Sequence, residues 1–354
     1  MRHALDLPAL RGGLLALAAA VLFGLSTPLV QRFGAGLGSF TTAALLYAGA
    51  AAVGVLSRRS SAREARVRRA DLPRLAWMAL FGAVIGPVAL AWGLQRSGGT
   101  AASLLLTLEA VFTAVLARAW YGEAIDRRVA AAMALLTAGG MLLVWNPGAG
   151  AGAGGAALSI GLVAVALATL AWGVDNALSR GVAERDPGAV VMLKCALGAS
   201  AALAIALALG EPLPAAGAAL ALLAVGAAGY GLSLRLYLLA QRAFGAARTG
   251  SVFAFAPFVG ALGALALGDR SGSVWTLLAA LLMLTGIVLH LAERHGHAHA
   301  HEPLTHEHAH RHDDGHHDHV HAEMPEGAHS HPHHHRPVRH THPHVPDAHH
   351  THTH

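Results

Sequence analysis

"SLLLTLEAVFTAVLARAWYGE", residues 103–123, and "SVFAFAPFVGALGALALGD", residues 251–269, are two apolar runs that each end on glycine and an acidic residue. Laid over one another at an offset of 146, they bring Phe112 onto Phe258 and Gly122-Glu123 onto Gly268-Asp269. The same offset carries Gln95-Arg96 onto Gln241-Arg242 and Gly140 onto Gly286. Nearer the start of each half, "FGLS" at 23–26 meets "WGVD" at 172–175 with an offset of 149, so a few residues were gained or lost between. Self-similarity at a fixed period marks a repeated architecture.

The composition states what is repeated. Of the 354 residues 54% are apolar and 13% charged, far from the roughly 25% charged residues of a soluble domain. Runs of about 17 to 25 apolar residues are long enough, at 1.5 Å per residue, to cross a hydrocarbon core of about 30 Å. Ten such runs are present, near 12–31, 37–56, 73–93, 100–120, 128–145, 156–179, 188–209, 216–240, 247–267 and 273–292. The first follows Arg2 and Arg11 but is long for a signal h-region and lacks a small-residue cleavage site, so it reads as a span. The formal charge of +5 does not point to nucleic acid, because the basic residues collect between the apolar runs. The single cysteine, Cys195, can form no intramolecular disulfide and reads as a small buried hydrophobe.

Cationic loops stay cytoplasmic. With the N terminus inside, Arg58, Arg59, Arg63, Arg66, Arg68, Arg69 and Arg74 fall on that side, as do Arg118, Arg127, Arg128, Arg180, Arg185, Lys194, Arg242, Arg248 and Arg294; only Arg32, Arg96 and Arg270 fall outside. The expectation is a multi-pass protein of the inner, or plasma, membrane with both termini cytoplasmic. An odd number of crossings per half turns the second half over. The fold class is therefore an all-α membrane protein, ten transmembrane helices forming two inverted five-helix repeats, an arrangement that recurs in secondary transporters with the substrate site near the midplane. The halves read as 1–145 and 158–292, joined by an external glycine-rich linker at 146–157 and followed by a tail at 293–354. The linker is not a phosphate loop, since no Gly-Lys-Ser/Thr follows its glycines.

The two quoted runs and the spacing of the halves resemble the drug/metabolite transporter superfamily, and within it the EamA-type members with two five-helix halves. The resemblance covers about residues 10–292. It implies an inner-membrane carrier, in many members an exporter of amino acids or other metabolites. The Leu-Glu-Pro that usually precedes the phenylalanine has Ala110 in place of proline, Pro257 supplies it in the second half alone, and Asp269 replaces the usual glutamate.

Ionisable groups within the membrane mark candidate sites, because one at a helix centre costs on the order of 2.5 to 3.5 kcal/mol on insertion scales. Glu109 lies near the middle of its run, placed to hold a proton or a cationic group of a substrate, or else to pack as a neutral hydrogen-bonding group. Asp175, Lys194 and Arg235 each lie five or six residues inside the cytoplasmic ends of their runs, at one depth of roughly 8 to 9 Å. They form a candidate layer of net positive charge suited to an anionic group, unless Lys194 and Arg235 snorkel to the surface. Ser26 and Thr27 stand opposite Asp175 and Asn176 in the repeat as a candidate cavity-lining pair, and Pro28 is placed to kink the first helix. Trp92, Trp120, Tyr121 and Trp145 read as an interfacial belt. No Ser-His-carboxylate or paired-cysteine pattern appears, and the chain does not read as an enzyme.

The tail holds 24 of the 26 histidines. Too few large apolar residues are present there to build a core, so the sequence predicts disorder. His295, His297, His299, His301, His306, His308, His310, His312, His316, His317, His319 and His321 are candidate ligands for nickel, cobalt or zinc, because neutral imidazole suits these ions. A pH-responsive charge reservoir is the other use of such a run. Three functions emerge: export of a small metabolite, with a metal-binding tail; efflux of a divalent metal; and a membrane-anchored metal buffer or sensor. The lipid bilayer and a small molecule are the partners in the first, and no cofactor is required.

Overall fold

The computed structural model describes residues 7–57, 65–122, 125, 127–145, 153–182, 185–244 and 246–291, with four short segments of the tail. The described residues build ten helices of the membrane part. The first five are α1 (Leu7–Phe33), α2 (Ser39–Ser57), α3 (Arg69–Leu94), α4 (Gly99–Tyr121) and α5 (Arg127–Trp145). The second five are α6 (Ala153–Ser179), α7 (Pro187–Ala208), α8 (Ala216–Ala240), α9 (Ala246–Phe253 continued by Ala256–Ala266) and α10 (Val274–Leu291). Eight are long and apolar enough to cross a membrane by themselves; α9 and α10 are the shorter ones. Leucines such as Leu56, Leu207 and Leu220 are exposed on the outer surface, where lipid lies, whereas the interior is built largely of alanine. That inversion follows from the solvent: lipid gives leucine no reason to turn inward, and small residues let helix backbones approach.

The packing repeats the sequence symmetry. α2 packs most extensively on α7 and α5 on α10, each pair joining equivalent helices of the two halves. The contact of α1 with α8 has its counterpart in α3 with α6, and that of α1 with α9 in α4 with α6. Where α2 crosses α8 the backbones touch: a Cβ on Gly226 would fall on the carbonyl of Leu46, and one on Gly49 on that of Leu223.

Two local features recur at the repeat offset and are invisible as hydropathy. A π-helical turn interrupts α3 at Leu80–Ile85 and α8 at Gly226–Leu232. α4 and α9, which the hydropathy predicts as unbroken, are each broken near the middle. In α4 the amides of Leu106 and Thr107 turn to carbonyls three residues back, Ser103 at 3.2 Å and Leu104 at 3.0 Å, before the helix resumes at Leu108. In α9 the break precedes Pro257, whose missing N–H accounts for it. No proline enforces the break in α4. Both helices then stop on a left-handed glycine, Gly122 (φ 69°) and Gly268 (φ 98°). Pro28, by contrast, lies inside α1 without interrupting it.

Tail segments 296–301 and 338–343 pair antiparallel, as do 304–310 and 329–335. Alternating His-X-His supplies the period-2 pattern of these two-stranded ribbons. Linker residues 146–152 and loop residues 58–64 lie outside the described residues.

Candidate functional site

A cavity of about 120 Å³ lies between the halves, with walls from both. Its lining includes Glu109, Asp175, Asn176 and Lys194, together with Cys195, Ser233 and six aromatic side chains: Phe23, Tyr47, Trp172, Tyr230, Tyr237 and Phe253. The lining groups of α6, α7 and α8 sit from mid-helix toward the C-terminal ends of α6 and α8 and the N-terminal end of α7. The cavity therefore reaches from the membrane centre toward one face, the face of the 65–71 and 180–186 connections. Asn176 is exposed and Glu109 half-buried.

The polar groups form two linked pairs. Glu109 stands in the first turn after the α4 break, and its Oε1 accepts a hydrogen bond from Asn176 Nδ2 at 2.6 Å. One residue earlier on α6, Asp175 receives the Lys194 ammonium on Oδ2 in a buried ion pair. The other oxygen of Asp175, Oδ1, is buried without a hydrogen-bond partner. Gly82, in the π turn of α3, makes room for this carboxylate, which a Cβ there would strike. The Gly82 carbonyl also accepts from two directions, from the Tyr47 hydroxyl of α2 and from Trp172 Nε1 of α6 at 3.0 Å. A π turn shifts the local hydrogen-bond register, which suits it to presenting backbone groups at functional sites. Here it holds two cavity walls to a third.

The aromatic rings pack edge to face or tilted around this centre. Phe23 meets Trp172 at 6.1 Å and Tyr230 at 5.9 Å, and Tyr47 meets Tyr230 at 5.4 Å. Tyr237 meets Phe253 at 5.0 Å nearer the mouth.

Toward the opposite face, side chains cap backbone groups of neighbouring helices. Gln31 Nε2 donates to the carbonyls of Leu94 and Ser97, and Gln95 Nε2 to those of Gly34 and Leu37. Two acidic residues of the second half cap helices of the first. Glu211 accepts from the amide and hydroxyl of Thr41, both at 2.7 Å, and Asp269 from the amide of Thr100 at 2.7 Å.

Of the residues singled out in the sequence, Glu109, Asp175, Asn176 and Lys194 meet in the cavity. The three-membered cationic layer does not form. Arg235 is half-buried and absent from the cavity lining, and Lys194 pairs with Asp175 instead of snorkelling. Ser26 and Thr27 are buried behind the lining, with Ser26 Oγ donating to the Phe23 carbonyl at 2.6 Å. Cys195 is buried as expected and also borders the cavity. Trp120, Tyr121 and Trp145 are exposed, and the guanidinium of Arg96 lies 3.7 Å over the Trp92 ring. The aromatic walls escaped the sequence reading. Three of the four tyrosines line the cavity, and the position of Tyr47 in the middle of its span, away from the interfacial belt, was the available signal.

Two five-helix halves around one central cavity form the setting for comparison with known proteins. The sequence profile of the EamA-like transporter family matches residues 10–145 and again residues 159–292. The chain belongs to the EamA-like transporter family. No curated protein matches it in sequence. A solved crystal structure with 20% sequence identity covers 78% of this chain and 94% of its own, with a TM-score of 0.57, a likeness that shows the fold alone. As an EamA-like transporter the chain is a multi-pass membrane protein of a transporter family, not one of enzymes. Among its described residues no group of three or more His, Cys, Asp or Glu is placed to hold a metal ion. The side chains of the tail histidines, His295 to His321 among them, lie outside the described residues.

Proposed function

We propose that this protein is a secondary carrier that exports a small organic metabolite across the inner membrane by alternating access between its inverted halves. The observation that supports this most is the central cavity, walled by both halves, open toward one face and capped on the other. A rocking motion of one half against the other converts such an arrangement into its mirror state. The arginine-rich connections orient the open face toward the cytoplasm, with both termini on that side, so this conformation is the one that loads an exported substrate.

Glu109 is the proposed coupling group. It sits at a helix break and lines the cavity, with a carboxyl that exchanges Asn176 for a proton or for substrate as access alternates. The tail is proposed to gather divalent ions such as nickel, cobalt or zinc at the cytoplasmic face, as an accessory to transport and not as part of the path. Metal efflux through the pore draws no support from the described cavity, whose two carboxylates share their space with an ammonium group.

The test is transport by the full chain in sealed vesicles, with amino acids and organic amines beside nickel, cobalt and zinc. Substrate exchange down its own gradient persists in Glu109→Gln, while accumulation driven by an imposed proton gradient is lost. A Glu109→Gln carrier that still concentrates substrate on a proton gradient alone makes Glu109 a packing group.

A further inference from the structure

Building on the carrier reading, we infer that the cavity selects an organic cation, a protonated amine on a small apolar or aromatic body. The argument is an inventory of charges and donors. The lining carries two carboxylates, Glu109 and Asp175, and one ammonium, Lys194. Lys194 is committed to Asp175, with both side chains below 10% exposed. An anionic substrate group at Lys194 would place a third anion in a lining that already sets two carboxylates against a single ammonium.

Four neutral donors of the lining are committed as well, while the buried Tyr230 hydroxyl has no hydrogen-bond partner. Tyr47 and Trp172 both donate to the Gly82 carbonyl, Ser233 Oγ donates to the carbonyl of Ala19 at 2.8 Å, and Asn176 donates to Glu109. Carboxylate acceptors also remain: Asp175 Oδ1 is buried without a partner, and the half-buried Glu109 has its Oε1 held by the exposed Asn176. A lining with two carboxylates against one ammonium, in which the Tyr230 hydroxyl can itself accept, suits a ligand that brings N–H donors and positive charge.

The walls point to the same chemistry. Phe23, Tyr47, Trp172 and Tyr230 form a contiguous aromatic surface beside the Asp175–Lys194 pair, with Tyr237 and Phe253 at the entrance. The negative faces of aromatic rings attract a cation, more strongly as water is excluded. The volume, about 120 Å³, is of the order of an engineered cavity of roughly 150 Å³ that takes benzene, so the fit is to a one-ring amine.

Three isosteric probes test the inference by calorimetric titration of the purified full-length protein: benzylamine, benzyl alcohol and benzoate. Benzylamine is expected to bind about tenfold or more tightly than benzyl alcohol, with benzoate weakest. Glu109→Gln is expected to weaken benzylamine about tenfold and leave benzyl alcohol unchanged, which also reports that the variant is folded. Benzoate binding as tightly as benzylamine, or benzylamine binding indifferent to Glu109→Gln, overturns the inference. Vesicle transport of the same probes separates it from the carrier reading. Carriage of benzoate in preference to benzylamine overturns the charge selectivity while the carrier stands; tight benzylamine binding without carriage of any probe upholds the selectivity and removes the carrier.

Discussion

Replacing Lys194 with methionine keeps the length of the side chain and deletes its charge, leaving Asp175 with neither oxygen paired. The ammonium is the partner of Oδ2, Oδ1 has none, and the side chains are only 8% and 7% exposed. Breaking a buried ion pair from one side costs about 3 to 5 kcal/mol, whereas replacing both partners together is often close to neutral. Lys194→Met should therefore destabilise the membrane domain by about 3 to 5 kcal/mol, and Lys194→Met/Asp175→Asn should recover most of that loss. The assay is unfolding of the detergent-solubilised protein followed by tryptophan fluorescence, with both single variants and the double variant compared as a cycle. A Lys194→Met protein as stable as the parent, or a double variant no better than Lys194→Met, would refute the pairing and restore Lys194 as a side chain that reaches the membrane surface.

Three further outcomes follow from the packing and the caps. Burial raises the affinity of the Asp269 carboxyl for a proton, but the hydrogen bonds from Ser271 and Thr100 outweigh it and hold the group below the ordinary aspartate value. A carboxylate so depressed stabilises the fold above the ordinary range and loses that contribution as pH falls through the lowered value; Asp269→Asn should thus be less stable at pH 7, and the gap should close below about pH 4 in pH-dependent unfolding. Gly226→Ala places a methyl group against the Leu46 carbonyl and should cost about 1 to 3 kcal/mol in thermal unfolding, while Gly217→Ala, which meets nothing, should not destabilise. Truncation after Glu293 should leave the thermal transition of the helices in place and abolish zinc binding by calorimetry, the intact tail itself losing zinc below about pH 6 as its imidazoles protonate.

The ten spans, their order and their two-fold repetition were legible from residue order alone, because the bilayer demands long apolar segments and a repeated sequence carries its offset openly. Glu109, Asp175, Asn176 and Lys194 were legible for a related reason: charge and amide groups within hydrocarbon are conspicuous. Other properties were decided by tertiary contact. Asp175 and Lys194 had the right depths in the sequence, but depth is one coordinate, and only the azimuth of each helix shows that they meet while Arg235 turns aside. The π turns in α3 and α8 have no hydropathic signature, since they change which carbonyl is free and not which residues are apolar. The break in α4 escapes for the same reason, as no proline stands there to announce it. The aromatic wall is the largest omission, because Phe23, Tyr47, Trp172 and Tyr230 come from four helices and become one surface only when the two halves close around it.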